Sequence, residues 1–242
     1  MHLSVVIPVR NEAENILPLL AEIDAALEGR AGFEVVYVDD GSTDATPQRL
    51  AEAQARDSRL RVLAHASSCG QSAALVTGFR AARGEWIATL DGDGQNDPAD
   101  IPKLLTERDR AGQPANLQLV AGYRKKRQDT WLKRISSRIA NGVRSRLLGD
   151  ATPDTGCGLK LILRSAVLEL PVFDHMHRFL PALVQRNGGA TISVEVNHRP
   201  RTRGTSNYGT FNRLWVGIVD LFGVMWLQRR VRRPQASERT RA

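Results

Sequence analysis

A chain of 242 residues, 42% of them apolar, is long enough to bury the core of one α/β domain and too short for a second full one. Its two cysteines, Cys69 and Cys157, exclude a disulfide scaffold and fit a reducing compartment. A net charge of +8 calls for a polyanionic partner, which composition alone leaves open between nucleic acid, anionic lipid and a phosphorylated substrate. Leu3 to Pro8 predicts a first strand, since the apolar run is too short for a signal peptide and lacks a positive leader. Further strands are predicted at Glu34 to Asp39, Leu60 to Ala64, Trp86 to Leu90 and Leu117 to Gly122. The helical patterns between them cover Glu12 to Leu27, Ala45 to Arg56, Ser72 to Arg83 and Pro98 to Ala111, the last opened by Asp97 as N-cap and Pro98 at the first helical position. Such alternation implies a mostly parallel sheet with crossover helices.

In open α/β sheets ligands bind beyond the carboxyl ends of the strands, so polar clusters there carry the first functional reading. Asn11-Glu12 follows the first strand, Asp39-Asp40-Gly41-Ser42-Thr43-Asp44 the second, and Asp91-Gly92-Asp93-Gly94-Gln95 the fourth. Asp91 and Asp93 flank a glycine at a strand end, so both carboxylates can turn to one point, and Gln95 offers a neutral oxygen beside them. Oxygen ligands of this kind suit Mg²⁺ or Mn²⁺, whose shells are completed by water and substrate phosphates. The same strings also serve as polar turns, and Ser42, Thr43 or Asp44 can simply cap the next helix. Asp40 is placed to accept hydrogen bonds from a base or ribose.

Taken together, these residues resemble the family 2 glycosyltransferases, and within them the polyprenyl-phosphate glycosyl synthases typified by dolichyl-phosphate mannose synthase. The resemblance runs over residues 3 to 209. It is carried by Val6-Ile7-Pro8-Val9-Arg10-Asn11-Glu12, Val38 to Asp44, Leu90 to Gln95, Gly122-Tyr123-Arg124, Asp154-Thr155-Gly156-Cys157-Gly158 and Arg201-Thr202-Arg203-Gly204-Thr205-Ser206-Asn207. It implies a GT-A, Rossmann-like α/β fold and a nucleoside-diphosphate sugar donor, UDP- or GDP-linked. Pro8, Val9, Arg10, Glu12, Val38 and Asp40 would then line the nucleoside side of the donor site, with Gly92 and Asn207 also in it. Asp91, Asp93 and Gln95 would hold the metal, and Arg124 and Arg201 would meet phosphates, which makes Asp91, Asp93, Arg124 and Arg201 the implied catalytic set. One departure is that some members carry Lys where this chain has Asn207, so Arg199 or Arg203 is expected to supply the missing cation.

Two segments point independently to a membrane face. From Arg124 to Arg146 there are nine Lys or Arg residues against one acid, Asp129, with apolar residues at Leu132, Ile135, Ile139, Val143 and Leu147. That spacing predicts a helix with an apolar stripe and basic flanks, suited either to a lipid interface or to packing on the core. Leu214 to Leu227 is apolar except at Asp220, carries Trp215 and Trp226 near its ends and is followed by Arg229, Arg230, Arg232 and Arg233. About 14 residues of helix span about 21 Å, short of the roughly 30 Å hydrocarbon core, so the segment reads as an interfacial anchor or an oligomer-forming helix. The expected organisation is a GT-A domain over 1–212, this short helix over 213–228 and an Arg-rich, poorly ordered tail over 229–242.

The function expected from these features is inverting, metal-dependent sugar transfer to a polyprenyl phosphate at the cytoplasmic membrane face, by a peripheral or monotopic protein that could also be a homo-oligomer. An ionised phosphate attacks without a strong general base, so none of His65, His175, His177 and His198 is required as one. Arg178 and Phe179 are candidates to hold the acceptor. A soluble family member acting on a glycan is the alternative. A nucleic-acid partner is not expected, because no helix-turn-helix, zinc-finger or RNP-like pattern is present and the strand ends are acidic.

Overall fold

The computed structural model describes residues 2–30, 32–124, 142, 144–200 and 210–232, the side chains of the last stretch from 216 onward. In chain order these form β1 (Leu3–Val9), α1 (Ile16–Ala26), β2 (Phe33–Asp39), α2 (Thr46–Gln54), β3 (Leu60–Ala64), α3 (Gln71–Ala81) and β4 (Trp86–Thr89). A 3₁₀ turn at Pro98–Asp100 leads into α4 (Ile101–Asp109), followed by β5 (Leu117–Arg124), β6 (Lys160–Leu163) and α5 (Arg164–Leu168). A second 3₁₀ turn (Met176–Arg178), α6 (Leu180–Arg186), β7 (Ala190–Val196) and α7 (Thr210–Arg229) complete the order.

All seven strands join one sheet in the order β3-β2-β1-β4-β6-β5-β7. Strands β1 to β4 are mutually parallel, β6 runs antiparallel between β4 and β5, and β7 is parallel to β5. The central strands are buried on both faces, which is why β1 and β2 read as nearly continuous Val/Ile runs. Alternation still sorts their side chains. Val5, Ile7 and Val9 enter the core beneath α1 and α4, whereas Val6, Val36 and Val38 enter the core beneath α3 and α6. Gly78 of α3 sits where a Cβ would lie 2.4 Å from Val6 Cγ1, so the helix can rest on the sheet only with glycine there.

This topology positions the site. The chain winds from β1 outward to β2 and β3, then returns to the other side of β1 for β4, which makes the β1/β4 boundary a topological switch point. The loops after β2, β1 and β4 therefore open side by side. Because β6 is antiparallel, the loop that precedes it, 154–158, arrives at this same edge; Lys160 at its start pairs with Thr89 at the end of β4.

The predicted strands and crossover helices are present. Helix α1 starts at Ile16 rather than Glu12, because Asn11 is left-handed (φ 56°) and the Glu12 carboxylate accepts from Asn15 Nδ2 at 2.6 Å, which shapes a turn rather than a helix start. The basic stripe read over Arg124 to Arg146 lies largely outside the described residues. Its described end departs from the expectation: Arg144 is buried against Asp150 and the Thr152 carbonyl rather than exposed to an interface, while Leu147 of the apolar stripe is exposed. The tail from Arg233 onward also lies outside them. No helix among the described residues is long and apolar enough to cross a membrane.

Candidate active site

The β1 and β2 loops are knitted by short polar side chains. Asn11 N donates to Ser42 Oγ (2.9 Å), Thr43 N to Asn11 Oδ1 (2.8 Å) and Glu12 N to Thr46 Oγ1 (2.9 Å). Asp44 accepts from Thr46 N at 2.9 Å, but the N-cap of α2 is Ala45 and carries no side-chain cap, so Asp44 braces the turn before the helix rather than capping it as the string suggested. Val9 and Val38 are buried, Pro8 is partly exposed and Arg10 lies open at the rim. The Val9 and Val38 side chains are committed to the two cores on opposite faces of the sheet, so only the strand ends at Pro8 to Arg10 and Val38 to Asp40 are left to meet a ligand.

Asp40, at the carboxyl end of β2, takes four donors: His65 Nδ1 (2.7 Å), Ser68 Oγ (2.8 Å), Cys69 N (2.8 Å) and Gly70 N (2.9 Å). Burial alone would raise its pKa, but these hydrogen bonds outweigh it and hold the carboxyl below its ordinary range. The carboxylate thus shapes the 65–70 loop. Gly41 (φ 66°) completes the approach, since a Cβ there would meet the Ser67 and Ser68 backbone at 2.7 Å.

That loop delivers Gln71 to the acidic pair. Gly70 N is on Asp40, and the next residue, Gln71, donates its Nε2 to Asp91 Oδ1 at 2.9 Å. Asp91 stands just past β4, its own N–H held by Asn96 Oδ1 at 3.0 Å. Its carboxyl is pushed up to about 6, first by burial and then by the charge of Asp93, with Lys160 and Arg124 opposing. Two mutually repelling carboxylates with oxygen neighbours are a site that gains from a divalent cation, so the residues present fit Mg²⁺ or Mn²⁺. Two glycines make room for them. A Cβ at Gly92 would lie 2.5 Å from Val9 Cγ1, and one at Gly158 would lie 2.2 Å from Asp91 Oδ2. Asp93 Oδ1 accepts from Gln95 N at 3.1 Å, closing the turn.

Behind Asp91 lies a cavity of about 460 Å³ between the ends of β4, β5 and β6 and the turn before α6. The residues expected to act, Asp91, Arg124 and Arg178, meet here with the 154–158 string of the resemblance, and the structure adds Gln71, Lys160 and His177. Arg124 is bidentate to Asp154, Nε to Oδ2 at 2.6 Å and Nη2 to Oδ1 at 3.0 Å. Burial would lower the Arg124 pKa, yet Asp154 holds it above its ordinary value. Lys160 is 3% exposed, its pKa pulled down by burial, and its ammonium is bound by the carbonyls of Cys157 and of Thr155 (3.4 Å). It thereby fixes the loop that presses Gly158 on Asp91. Ser72 Oγ lies 2.8 Å from His177 Nδ1, and burial, with Lys160 nearby, drives that imidazole down to about 3, so it stays neutral at working pH.

Other predicted residues fall differently. Arg199 is committed to Glu22 (2.9 Å) and Asp97 (2.5 Å), so it does not supply the cation missing at Asn207; the sequence hid this because one acid comes from the middle of α1 and the other from the cap of the 3₁₀ turn at Pro98, both far from it in the chain. Arg201, Arg203 and Asn207 lie outside the described residues.

With this geometry in place, comparison with known proteins is informative. The family model "Glycosyl transferase family 2" matches residues 4–170. The dodecaprenyl-phosphate galacturonate synthase of Rhizobium johnstonii is 38% identical over 97% of this chain and 69% of its own. The undecaprenyl-phosphate 4-deoxy-4-formamido-L-arabinose transferases of Edwardsiella ictaluri and Pseudomonas aeruginosa are 36% and 37% identical over 85% and 87% of this chain, and the chain spans only 62% and 61% of their lengths. Among solved structures, the glucosyl-3-phosphoglycerate synthase of Mycobacterium tuberculosis with Mn²⁺, UDP and phosphoglyceric acid superposes with TM-score 0.68 at 20% identity, over 96% of this chain and 80% of that one. A mannosyltransferase from Pyrobaculum calidifontis with GDP-Man and Mn²⁺ gives 0.67 at 20% identity, over 96% and 66%. These likenesses establish the GT-A fold. The family match over most of the chain, and a relative at 38% identity that it nearly covers, agree with the paired carboxylates at the switch point: the chain belongs to glycosyl transferase family 2, in its polyprenyl-phosphate group.

Proposed function

We propose that the chain moves a sugar from a nucleoside diphosphate to a polyprenyl phosphate, with inversion, while resting on the cytoplasmic face of a membrane. The observation that carries this reading is the Asp91 carboxylate, wedged by Gly158 and Gln71 at the mouth of a cavity whose other walls bear Arg124, Lys160 and Arg178. That mouth joins an acidic metal-fit site for a diphosphate to a basic chamber for a second anion.

The nucleoside lies against the carboxyl ends of β1 and β2, at Pro8, Val9, Val38 and the Asp40-shaped loop, with Arg10 and Glu12 at its rim. A UDP-linked donor is favoured over a GDP-linked one. Asp91, Asp93 and Gln95 would hold Mg²⁺ or Mn²⁺, which would offset charge developing on the departing diphosphate. An oxygen of the ionised acceptor phosphate attacks the anomeric carbon from the face opposite the leaving group. The new C–O bond forms as the bond to the nucleoside diphosphate breaks and its electron pair departs with the diphosphate. No proton needs to move, and His177, neutral and weakly basic, is not asked to take one. Arg124, steadied by Asp154, contributes positioning and charge.

Membrane contact is drawn from α7. Val224 is buried and anchors the helix to the domain, while Ile218, Val219, Phe222 and Trp226 remain exposed beside Arg229 and Arg230. The decisive assay incubates the purified chain with Mn²⁺, undecaprenyl phosphate and radiolabelled UDP-galacturonate, UDP-glucose or GDP-mannose. Label passing into the organic phase from one donor supports the reading. Label confined to water-soluble glycan for every donor sinks it in favour of the soluble-acceptor alternative.

A further inference from the structure

Three cationic side chains line the cavity behind Asp91, and two are committed within the protein. Arg124 spends its fork on Asp154, and Lys160 spends its ammonium on the carbonyls of Thr155 and Cys157. Arg178 differs. It lines the same cavity, and its guanidinium makes no hydrogen bond or close ion pair among the described residues. Burial raises the pKa of Asp220 on α7, and the charge of Arg178 reaches far enough to oppose that rise; its backbone N–H is used on the His175 carbonyl at 3.0 Å. A guanidinium held partly buried with its donors unspent suits a phosphate or carboxylate supplied from outside.

The backbone around it is built to aim it. His175 takes a left-handed conformation (φ 62°), which costs energy for a residue with a Cβ and reverses the chain into the Met176–Arg178 turn. Its Nδ1 stands 3.2 Å from Asp220 Oδ2, a buried oxygen that no hydrogen bond among the described residues satisfies, so the one acid in the apolar stretch of α7 faces the turn that bears Arg178. On the same helix Val219 and Phe222, flanking Asp220 and Leu221, are exposed.

We infer that Arg178 is the residue that binds the phosphate of the lipid acceptor and orients its attacking oxygen, and that α7 holds this residue in place through the Asp220–His175 contact. The inference rests on the lipid-acceptor reading above and deepens it. It separates the two anionic ligands of the site, giving the donor diphosphate to the Asp91 side and the acceptor phosphate to the α7 side. A carboxylate on the donor sugar is the other anion with the right chemistry, and the experiment distinguishes it.

The test is calorimetric titration of the full chain, with Mn²⁺ and UDP present, against farnesyl phosphate as a short lipid phosphate and farnesol as its uncharged control. Arg178→Gln is expected to weaken farnesyl phosphate binding at least tenfold and Arg178→Lys by less, while farnesol and UDP affinities stay within twofold of the parent chain. Unchanged farnesyl phosphate binding in Arg178→Gln, or a matching loss of UDP, overturns the assignment. So does a change in the preference for UDP-glucuronate over UDP-glucose without a change for farnesyl phosphate, which would give the guanidinium to a donor carboxylate. Failure of the parent chain itself to bind farnesyl phosphate would instead remove the lipid-acceptor reading and this inference with it. Asp220→Asn supplies the second readout: it keeps the shape of the turn's partner, removes its charge, and is expected to raise the KM for the lipid phosphate several-fold with the donor KM unchanged.

Discussion

Gly158 shows how little room the acidic site has. The position its Cβ would take is 2.2 Å from Asp91 Oδ2 and 2.4 Å from Asp91 Cγ, and Thr89 Oγ1 holds the Gly158 carbonyl at 2.6 Å, so the backbone cannot yield. Gly158→Ala is therefore expected to swing the Asp91 carboxyl off Gln71 and lower turnover by about a hundredfold, the scale on which misplacing a reacting group by about an ångström acts. Steady-state rates and Mn²⁺ affinity measured together check this; a variant with parental values would mean Asp91 is not held where it matters. The raised pKa of Asp91 carries its own consequence. An acid whose folded pKa lies above its unfolded value destabilises the metal-free fold once ionised, a cost present above about pH 6 and lost as pH falls towards 4. A divalent ion removes that cost but must compete with the proton. Added Mn²⁺ should thus raise the melting temperature more at about pH 7.5 than at about pH 5, and Asp91→Asn should erase the difference. Equal shifts at both pH values, or a shift that survives the substitution, would dissociate the ion from this residue. Asp91 and Asp93 stood out because two acids around a glycine follow an apolar strand, although such a string also serves as a polar turn, and it was the ordered set of resembling motifs that favoured the metal reading. Gln71 and Lys160 did not, since a glutamine at a helix start and a lysine in a short strand are ordinary and only the fold brings them to one cavity, where they join Arg178, already a candidate for the acceptor.

At the scale of elements, the parallel strands announced themselves because burial on both faces demands unbroken β-branched runs such as Leu3 to Val9 and Phe33 to Asp39. Strand β6 has four residues and begins with a buried lysine, and β7 at the sheet edge mixes polar and apolar residues, so neither presents a periodic pattern strong enough to stand alone. The antiparallel insertion of β6 is what brings the 154–158 loop to Asp91, and strand polarity is a tertiary choice invisible in a short run. Helix α7 was legible in kind but not in extent: it spans 20 residues because Thr210 to Arg213 continue its first turns. Its two faces make separable predictions. Phe222 is 62% and Trp226 58% exposed, so replacing both by Ser should change stability by no more than about 0.5 kcal/mol each. Removing two side chains each worth about 1.5–3 kcal/mol on burial should nonetheless cut partition into lipid vesicles by well over tenfold. Val224→Ser, on the packed face, should do the reverse, lowering the melting temperature while leaving the exposed apolar residues in place. Flotation with vesicles and thermal melts read the two effects separately. Parental flotation by the Phe222/Trp226 variant would show that this face meets protein instead.

For the molecule as a whole, charge and apolar surface have to be weighed against each other. The chain carries 34 Lys and Arg against 26 Asp and Glu, and its site edge spends several of the acids around one metal-fit point. The excess of +8 is therefore available to surfaces other than the active-site mouth, including the arginines that follow α7. Each basic residue near an anionic leaflet contributes about 1 kcal/mol, but only within a Debye length, which contracts from about 10 Å at 0.1 M salt to about 3 Å at 1 M. The apolar contribution of Phe222 and Trp226 does not screen in this way. Binding to vesicles containing anionic lipid should consequently fall steeply as salt rises from about 0.1 M to about 0.5 M and level off at a residual affinity equal to that for neutral vesicles. In the Phe222/Trp226 variant the steep part should persist and the residual should vanish. The two terms then add, as expected for contributions that share no partner. A salt-independent affinity in the parent chain would mean that the basic excess serves some other polyanion, and loss of both components together in the variant would mean that the arginines reach the leaflet only when α7 has already docked.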